Sequence, residues 1–195
     1  MKPINFLRRE WLALLLLLVP TALTLFYWNQ LPDPIAIHWG LDEAPNGYQS
    51  PAAFLWFTLA LNVFVYVLLV AVPYLDPKKD AHRLEKPLRV VRTATMAFTA
   101  LILGGIVLKA VGYPVDIILT GNLACILLFL VMGNLMAKFP PNYFAGIRTP
   151  WTLESPEVWR RVHQMASKLW VAGSLVLLLF VFRLDTTVIQ FCSCQ

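Results

Sequence analysis

The chain has 195 residues, of which 58% are hydrophobic and 14% charged, with a mean hydropathy of +0.65. Water-soluble domains carry about 25% charged residues, so this composition excludes an ordinary soluble fold and indicates an integral membrane protein. The net charge of +5 is not a nucleic-acid footprint, because basic residues flanking apolar spans account for it; no direct nucleic-acid partner is expected.

A helix needs about 20 apolar residues to cross a bilayer. Five runs approach that length, and they predict an all-α membrane bundle forming a single domain over 1–195. Lys2, Arg8 and Arg9 precede the first run, residues 11–28. Such a start resembles a signal peptide, but the run is long and is followed by Asn29, Gln30 and Pro32 instead of a small-residue cleavage site. It is expected to be an uncleaved span, kinked at Pro20. Residues 52–74 form the second span, 93–111 the third and 115–137 the fourth. The fifth, about 163–183, is extended upstream by a mixed segment from Glu157. The short break at 112–114 makes spans three and four an antiparallel helical hairpin.

Basic residues set the orientation. Fourteen of the 16 lie before span one, between spans two and three, or between span four and the apolar run 169–182 of span five; only Lys109 and Arg183 fall elsewhere. The positive-inside rule then gives a cytoplasmic N-terminus. It puts a folded loop, 29–51, outside and a loop at 138–162 inside.

In the outer loop, Pro32 and Pro34 favour extended backbone. The run Ile35 to Trp39 alternates like a strand, and Asn46-Gly47 predicts a tight turn. His38, Asp42 and Glu43 match no common zinc spacing. His38 and Trp39 suit either a membrane-interface anchor or a contact surface for an external ligand. Across the next break, Lys109 can pair with Asp116 or snorkel outward.

The charge run at 76–92 reads as a solvated, headgroup-facing loop or a docking surface for a cytoplasmic protein. Asn62, Asn122 and Asn134, with Thr95, Thr99 and Ser174, are expected to hydrogen-bond between helices. Cys125, inside an apolar run, is expected to be buried. Cys192 and Cys194 have no His or further Cys nearby, so no metal site is expected there.

The segment 142–159, NYFAGIRTPWTLESPEVW, is the most distinctive. Residues 142–152 read as irregular, with Gly146 permitting a sharp bend. Ser155-Pro156-Glu157 then starts a helix by its cap, first-position proline and first-turn acid. Glu157 can pair with Arg160 or Arg161, while Trp159, His163, Ala166 and Trp170 share one face. Arg148 and His163 are the polar candidates, with Arg148 suited to lipid phosphate or backbone carbonyls.

This segment, continued through His163 and Lys168-Leu169-Trp170, resembles the signature of the SdpI family of bacterial membrane proteins. The outer-loop string LPDPIAIHWG…NGY resembles the domain of unknown function that usually precedes it. The resemblance spans roughly residues 11–183. It picks out Asn142, Gly146, Ile147, Arg148, Thr149, Pro150, Trp151, Thr152 and Trp159 inside, with His163 beside them. Outside it picks out Pro34, His38, Trp39 and Gly47, in a loop that also holds Asp42 and Asn46.

Function follows from the resemblance alone. It implies a multi-pass protein of the bacterial cytoplasmic membrane that protects against a secreted toxin peptide outside and signals to a repressor protein inside. No catalytic residue, cofactor or metal is implied. It also implies a sixth span, where residues 186–195 are too short to cross and would rest on the outer surface or form a truncated helix. Two other readings compete with immunity. One is a small-molecule or lipid transporter, disfavoured by spans with few polar residues and no acidic relay. The other is a membrane enzyme using His163 and Arg148, with only Glu154 and Glu157 as acidic neighbours.

Overall fold

The computed structural model describes residues 3–40, 44–75 and 81–192. Lys2, Asp42, Glu43, Lys78, Lys79 and Cys194 lie outside the described residues. In chain order the elements are α1 (Pro3–Phe26), a 3₁₀ turn (Trp28–Gln30), β1 (Ile35–Trp39), β2 (Pro45–Gln49) and α2 (Pro51–Leu75). They are followed by α3 (Ala81–Ala110), α4 (Ile117–Met136), α5 (Pro150–Glu154) and α6 (Pro156–Cys192). Among the described residues, five helices contain segments long and apolar enough to cross a membrane: Phe6–Phe26, Pro51–Leu75, Arg83–Ala110, Ile117–Met136 and Pro156–Val181. Over these residues the protein is thus an almost all-α, five-span membrane protein, with one small hairpin of strands.

The chain packs as two compact units, Met1–Ala71 with Leu88–Gly121, and Val72–Pro87 with Asn122–Gln195. In the first, Ile35 of β1 is fully buried with Phe54 of α2 and Leu103, Ile106 and Val107 of α3, so the 29–51 loop is anchored on helix ends. Deeper along the same unit, Ala13, Leu17, Tyr66 and Met96 join α1, α2 and α3. Gly104 lets α3 approach α1, since an added Cβ would lie 3.2 Å from Leu23. The turn after α3 uses Gly112 at φ +95°. Asp116 caps α4 through its Oδ1 and the Leu119 N–H (2.9 Å).

One ion pair joins three helices of this unit. Arg92 of α3 and Glu10 of α1 are each 1% exposed and form two bonds, Nη2–Oε1 at 2.6 Å and Nε–Oε2 at 3.1 Å. Tyr66 of α2 donates its hydroxyl to the same carboxylate (3.4 Å), and Arg92 Nη1 reaches the Leu69 carbonyl (3.4 Å). The forked pairing is the strong geometry for these groups.

Several expectations are corrected. The expected loop at 76–92 is helical from Ala81 onward. Leu84, Leu88 and Val91 are buried at helical spacing, a pattern obscured by the intervening charges. Arg92, counted with the surface cations, is buried. The outer-loop turn is not at Asn46-Gly47, because both lie within β2. Gly47 pairs with His38 at a register irregularity, where a Cβ would come 2.9 Å from His38 Cβ. The glycine is needed there for close approach, not for a turn.

The expected interhelical bonds of the span polar residues do not form in that way. Thr99 and Ser174 donate to carbonyls of their own helix, at Met96 (3.1 Å) and Trp170 (2.8 Å), as short hydroxyls can. Asn122 and Asn134 are exposed. Asn62 is fully buried with neither amide atom hydrogen-bonded, and Thr58, one turn earlier, is in the same condition. Cys125 is exposed on the same face of α4 as Phe129. An apolar face in a bilayer is satisfied by lipid and needs no protein cover. Lys109 bonds the Val115 carbonyl (3.1 Å) instead of pairing with Asp116. Finally, α6 does not end near residue 183 but continues through Cys192, 37 residues in all. Between Arg183 and Cys192 there is no Gly or Pro to stop it.

Candidate functional site

The segment between α4 and α6 is built around two centres. Pro140 and Pro141 prevent α4 from continuing, and the chain then turns about Asn142. This side chain is 1% exposed and uses its full hydrogen-bonding capacity. Its Nδ2 donates to the carbonyls of Pro140 (2.8 Å) and Ala145 (3.0 Å), and its Oδ1 accepts from the N–H groups of Phe144 (2.9 Å) and Ala145 (2.6 Å). Asn142→Ala removes all four bonds and is expected to cost about 2–4 kcal/mol at typical net values. A lowered unfolding midpoint, with faster proteolysis confined to this loop, would register the loss.

The second centre is Trp159 with His163, one turn apart on α6 and both buried. Their rings stack at 3.9 Å with 17° between planes. Trp159 Nε1 donates to the Phe139 carbonyl (2.9 Å), tying the start of α6 to the end of α4. His163 Nε2 accepts the Ile147 N–H (3.0 Å), and its Nδ1 faces the Trp159 carbonyl (2.8 Å). A carbonyl can only accept, so Nδ1 carries the proton; Nε2 receives a donor, so it is bare. The imidazole is therefore neutral, and both nitrogens are committed to backbone.

Gly146 makes this contact possible. Its φ of +112° is closed to L side chains, and an added Cβ would collide with His163 Nε2 while standing 3.3 Å from the Trp159 ring.

The Thr149–Thr152 stretch explains its own composition. Thr149 caps α5, its Oγ1 accepting from Thr152 N (3.2 Å), while Thr152 Oγ1 accepts from Thr149 N (2.8 Å) and donates to the Ile147 carbonyl (2.9 Å). Pro150 occupies the first turn, where no N–H is needed. The expectation of irregular chain through Thr152 is thus corrected to a five-residue helix, set by a capping box that uses Thr where Glu or Gln is usual. The expected start of α6 is present, with Ser155 Oγ accepting Val158 N–H (3.3 Å). Glu157 pairs with both Arg160 (2.8 Å) and Arg161 (2.7 Å).

Of the residues singled out, Asn142, Thr152, Trp159 and His163 are buried, Gly146 lies against His163, and Thr149 is bonded to Thr152. Arg148, Pro150 and Trp151 are exposed, Trp151 at 71%. Arg148 is turned back by a bond to the Tyr143 carbonyl. Tyr143, Phe144, Ile147 and Trp151, in the same stretch of chain as this arginine, are also exposed. Sequence reading missed Phe139, whose part is played by a backbone carbonyl and leaves no trace in residue type.

Close packing of α4 on α6 supports the same network. Gly133 leaves no room for a side chain, a Cβ there standing 2.8 Å from Trp170 Cβ and 3.1 Å from Val171 N. Phe129 meets Trp170 edge to face at 5.3 Å.

In the outer loop, His38 Nδ1 and Asn46 Oδ1 lie 2.5 Å apart, across the two strands. Pro34 is exposed and follows a cis Asp33–Pro34 peptide. Trp39 is half-buried, with Lys109 Nζ 5.9 Å from its ring centroid. Trp39 and Lys109 line two neighbouring clefts of about 290 and 310 Å³, the second also walled by Pro34, Pro45 and Tyr48. Among the described residues, no group of three His, Cys, Asp or Glu could hold a metal ion.

The fold and the site define a multi-pass helical membrane protein with a small extramembrane hairpin and a tightly hydrogen-bonded loop before its last span. Comparison with known proteins agrees with the resemblance read from the motifs. Residues 138–193 match the SdpI/YfhL protein family, and residues 15–63 match a domain of unknown function, DUF1648. The immunity protein SdpI of Bacillus subtilis (strain 168) is 23% identical over 177 residues, 90% of this chain and 83% of that protein. The chain is thus similar to SdpI-type bacterial membrane proteins at both segments. No solved structure is significantly similar to it.

Proposed function

We propose that this protein confers immunity to a secreted antimicrobial peptide from within the bacterial cytoplasmic membrane. The observation that carries the reading is similarity to an immunity protein along 90% of the chain. The charge bias supports a cytoplasmic N-terminus, a single polytopic domain with the 29–51 loop outside, and the 138–162 loop inside. In this reading the outer hairpin, with Pro34, His38, Trp39, Asn46 and Gly47, meets the peptide. The inner loop, with Arg148 and Trp151 displayed on the rigid network beneath them, meets a cytoplasmic partner such as a repressor. Signalling then requires two arrangements of the bundle that differ in affinity for the two ligands.

We read the site as non-enzymatic. A general base needs a nitrogen free to take a substrate proton, and both nitrogens of His163 are held by backbone.

The test is deletion of the gene followed by challenge with concentrated supernatant from the same strain. Survival should fall by at least about tenfold, the change equivalent to 1.4 kcal/mol in an equilibrium, and the wild-type gene should restore it. Unchanged survival would remove the immunity reading.

A further inference from the structure

A cleft of about 430 Å³ lies in the second packing unit, lined by Arg83, Lys86, Lys138, Phe139 and Pro140. Arg83 and Lys86 are three residues apart on the first two turns of α3 and so share a face. Lys138 comes from the chain just after α4. All three cations are exposed. Glu85 lies between the first two in sequence but is not part of the lining, as its position on the helical wheel requires.

Two features make this more than a basic surface. The first is depth. The charged first turns of α3 precede its apolar run from residue 93, and the spanning segment of α4 ends at Met136, two residues before Lys138. The cleft therefore sits where two spanning segments reach the headgroup layer. The second is its mixed wall. Phe139 is buried and Pro140 half-buried, which gives an apolar floor beneath the charges. Two of the last carbonyls of α4 are taken up by backbone donors, Leu135 O accepting Lys138 N–H (2.8 Å) and Met136 O accepting Phe139 N–H (3.4 Å). The N-terminal end of α3 adds partial positive charge on the same side.

We infer that this cleft binds the phosphate of an anionic phospholipid headgroup, with Lys86 and Lys138 as its principal contacts and Phe139–Pro140 seating the glycerol. The Phe139 carbonyl also holds Trp159 Nε1, so an occupied cleft would brace the loop that carries the Gly146–His163 contact.

The test uses the full-length protein in nanodiscs of phosphatidylcholine, with or without phosphatidylglycerol. It reads the thermal midpoint, and the lipid retained on gentle ionisation in a mass spectrometer. Phosphatidylglycerol should raise the wild-type midpoint and be retained in preference to phosphatidylcholine. The double variant Lys86→Gln/Lys138→Gln should retain it about 10- to 30-fold less well, at about 1 kcal/mol per cation. Its midpoint in pure phosphatidylcholine should match that of wild type. Lys86→Arg/Lys138→Arg, which keeps the charge, should retain the lipid preference; it also provides a second route if the Gln variant fails to fold. Arg160→Gln/Lys168→Gln, which removes equal charge elsewhere, should have little effect. A preference that survives Lys86→Gln/Lys138→Gln, or one lost equally in Arg160→Gln/Lys168→Gln, would overturn the site. If glycerol 3-phosphate in pure phosphatidylcholine discs reproduced the shift, the ligand would be a free phosphate and the lipid assignment would fail.

Discussion

Gly146→Ala is expected to dismantle the loop between α4 and α6 while leaving the spanning helices in place. Two costs combine. An L side chain at φ +112° is strained by about 1–3 kcal/mol. Its Cβ also occupies the space of His163 Nε2, so the imidazole must leave the Ile147 N–H, at about 1–3 kcal/mol for a part-buried donor left unpaired. The readouts are a lower unfolding midpoint in detergent and rapid proteolysis within residues 139–155, with helical content unchanged. In the nitrogen resonances of His163, the mixture of tautomers found in water should replace the single Nδ1–H form. Trp151→Ala removes an exposed ring and should leave the midpoint within about 0.5 kcal/mol. If it nevertheless abolished protection, the exposed stretch would be a recognition surface. An unchanged midpoint and unchanged proteolysis in Gly146→Ala would show that the network does not hold the loop.

Breaking the Glu10–Arg92 pair is expected to be comparably severe. With both side chains 1% exposed, truncating either leaves a buried charge without its partner. The expected loss is about 3–5 kcal/mol for Glu10→Gln or Arg92→Gln. The double variant should lose much less than the sum, because no charge is stranded. A double-mutant cycle on thermal midpoints measures this difference directly. Additive losses would show that the two groups do not interact in the folded membrane protein. Tyr66→Phe removes a longer bond to the same carboxylate and should cost less than either.

Much of the site between α4 and α6 was legible because its signals are local. A proline pair ends α4, Ser-Pro-Glu opens α6, and a glycine between them marks a bend. Each is a statement about one residue's backbone or its neighbours within a turn. The capping of α5 was equally local but escaped notice because Thr152 fills a place where Glu or Gln is the familiar signal. Asn46-Gly47 misled for the opposite reason. Its dipeptide is a strong turn former, yet strand pairing placed Gly47 against His38, and the tertiary contact overrode the local preference. A solitary acid at the edge of an apolar run, Glu10, was a usable hint of a buried pair that went unread.

The membrane class, the five spanning helices, the charge asymmetry and the extended start of the 29–51 loop are all readable in the residue string. Chain length, hydropathy and near-neighbour backbone preferences suffice for these, since a bilayer forces every span to be an apolar helix. Packing alone reveals that Arg92 turns inward to an acid 82 residues away, that His163 is locked neutral by Ile147, and that Gly133 is the point where α4 meets α6. The difference comes from the solvent. Lipid-facing and protein-facing surfaces of a span are both apolar, so hydropathy cannot tell which face packs, and the polar contacts that fix the packing join residues far apart in the chain.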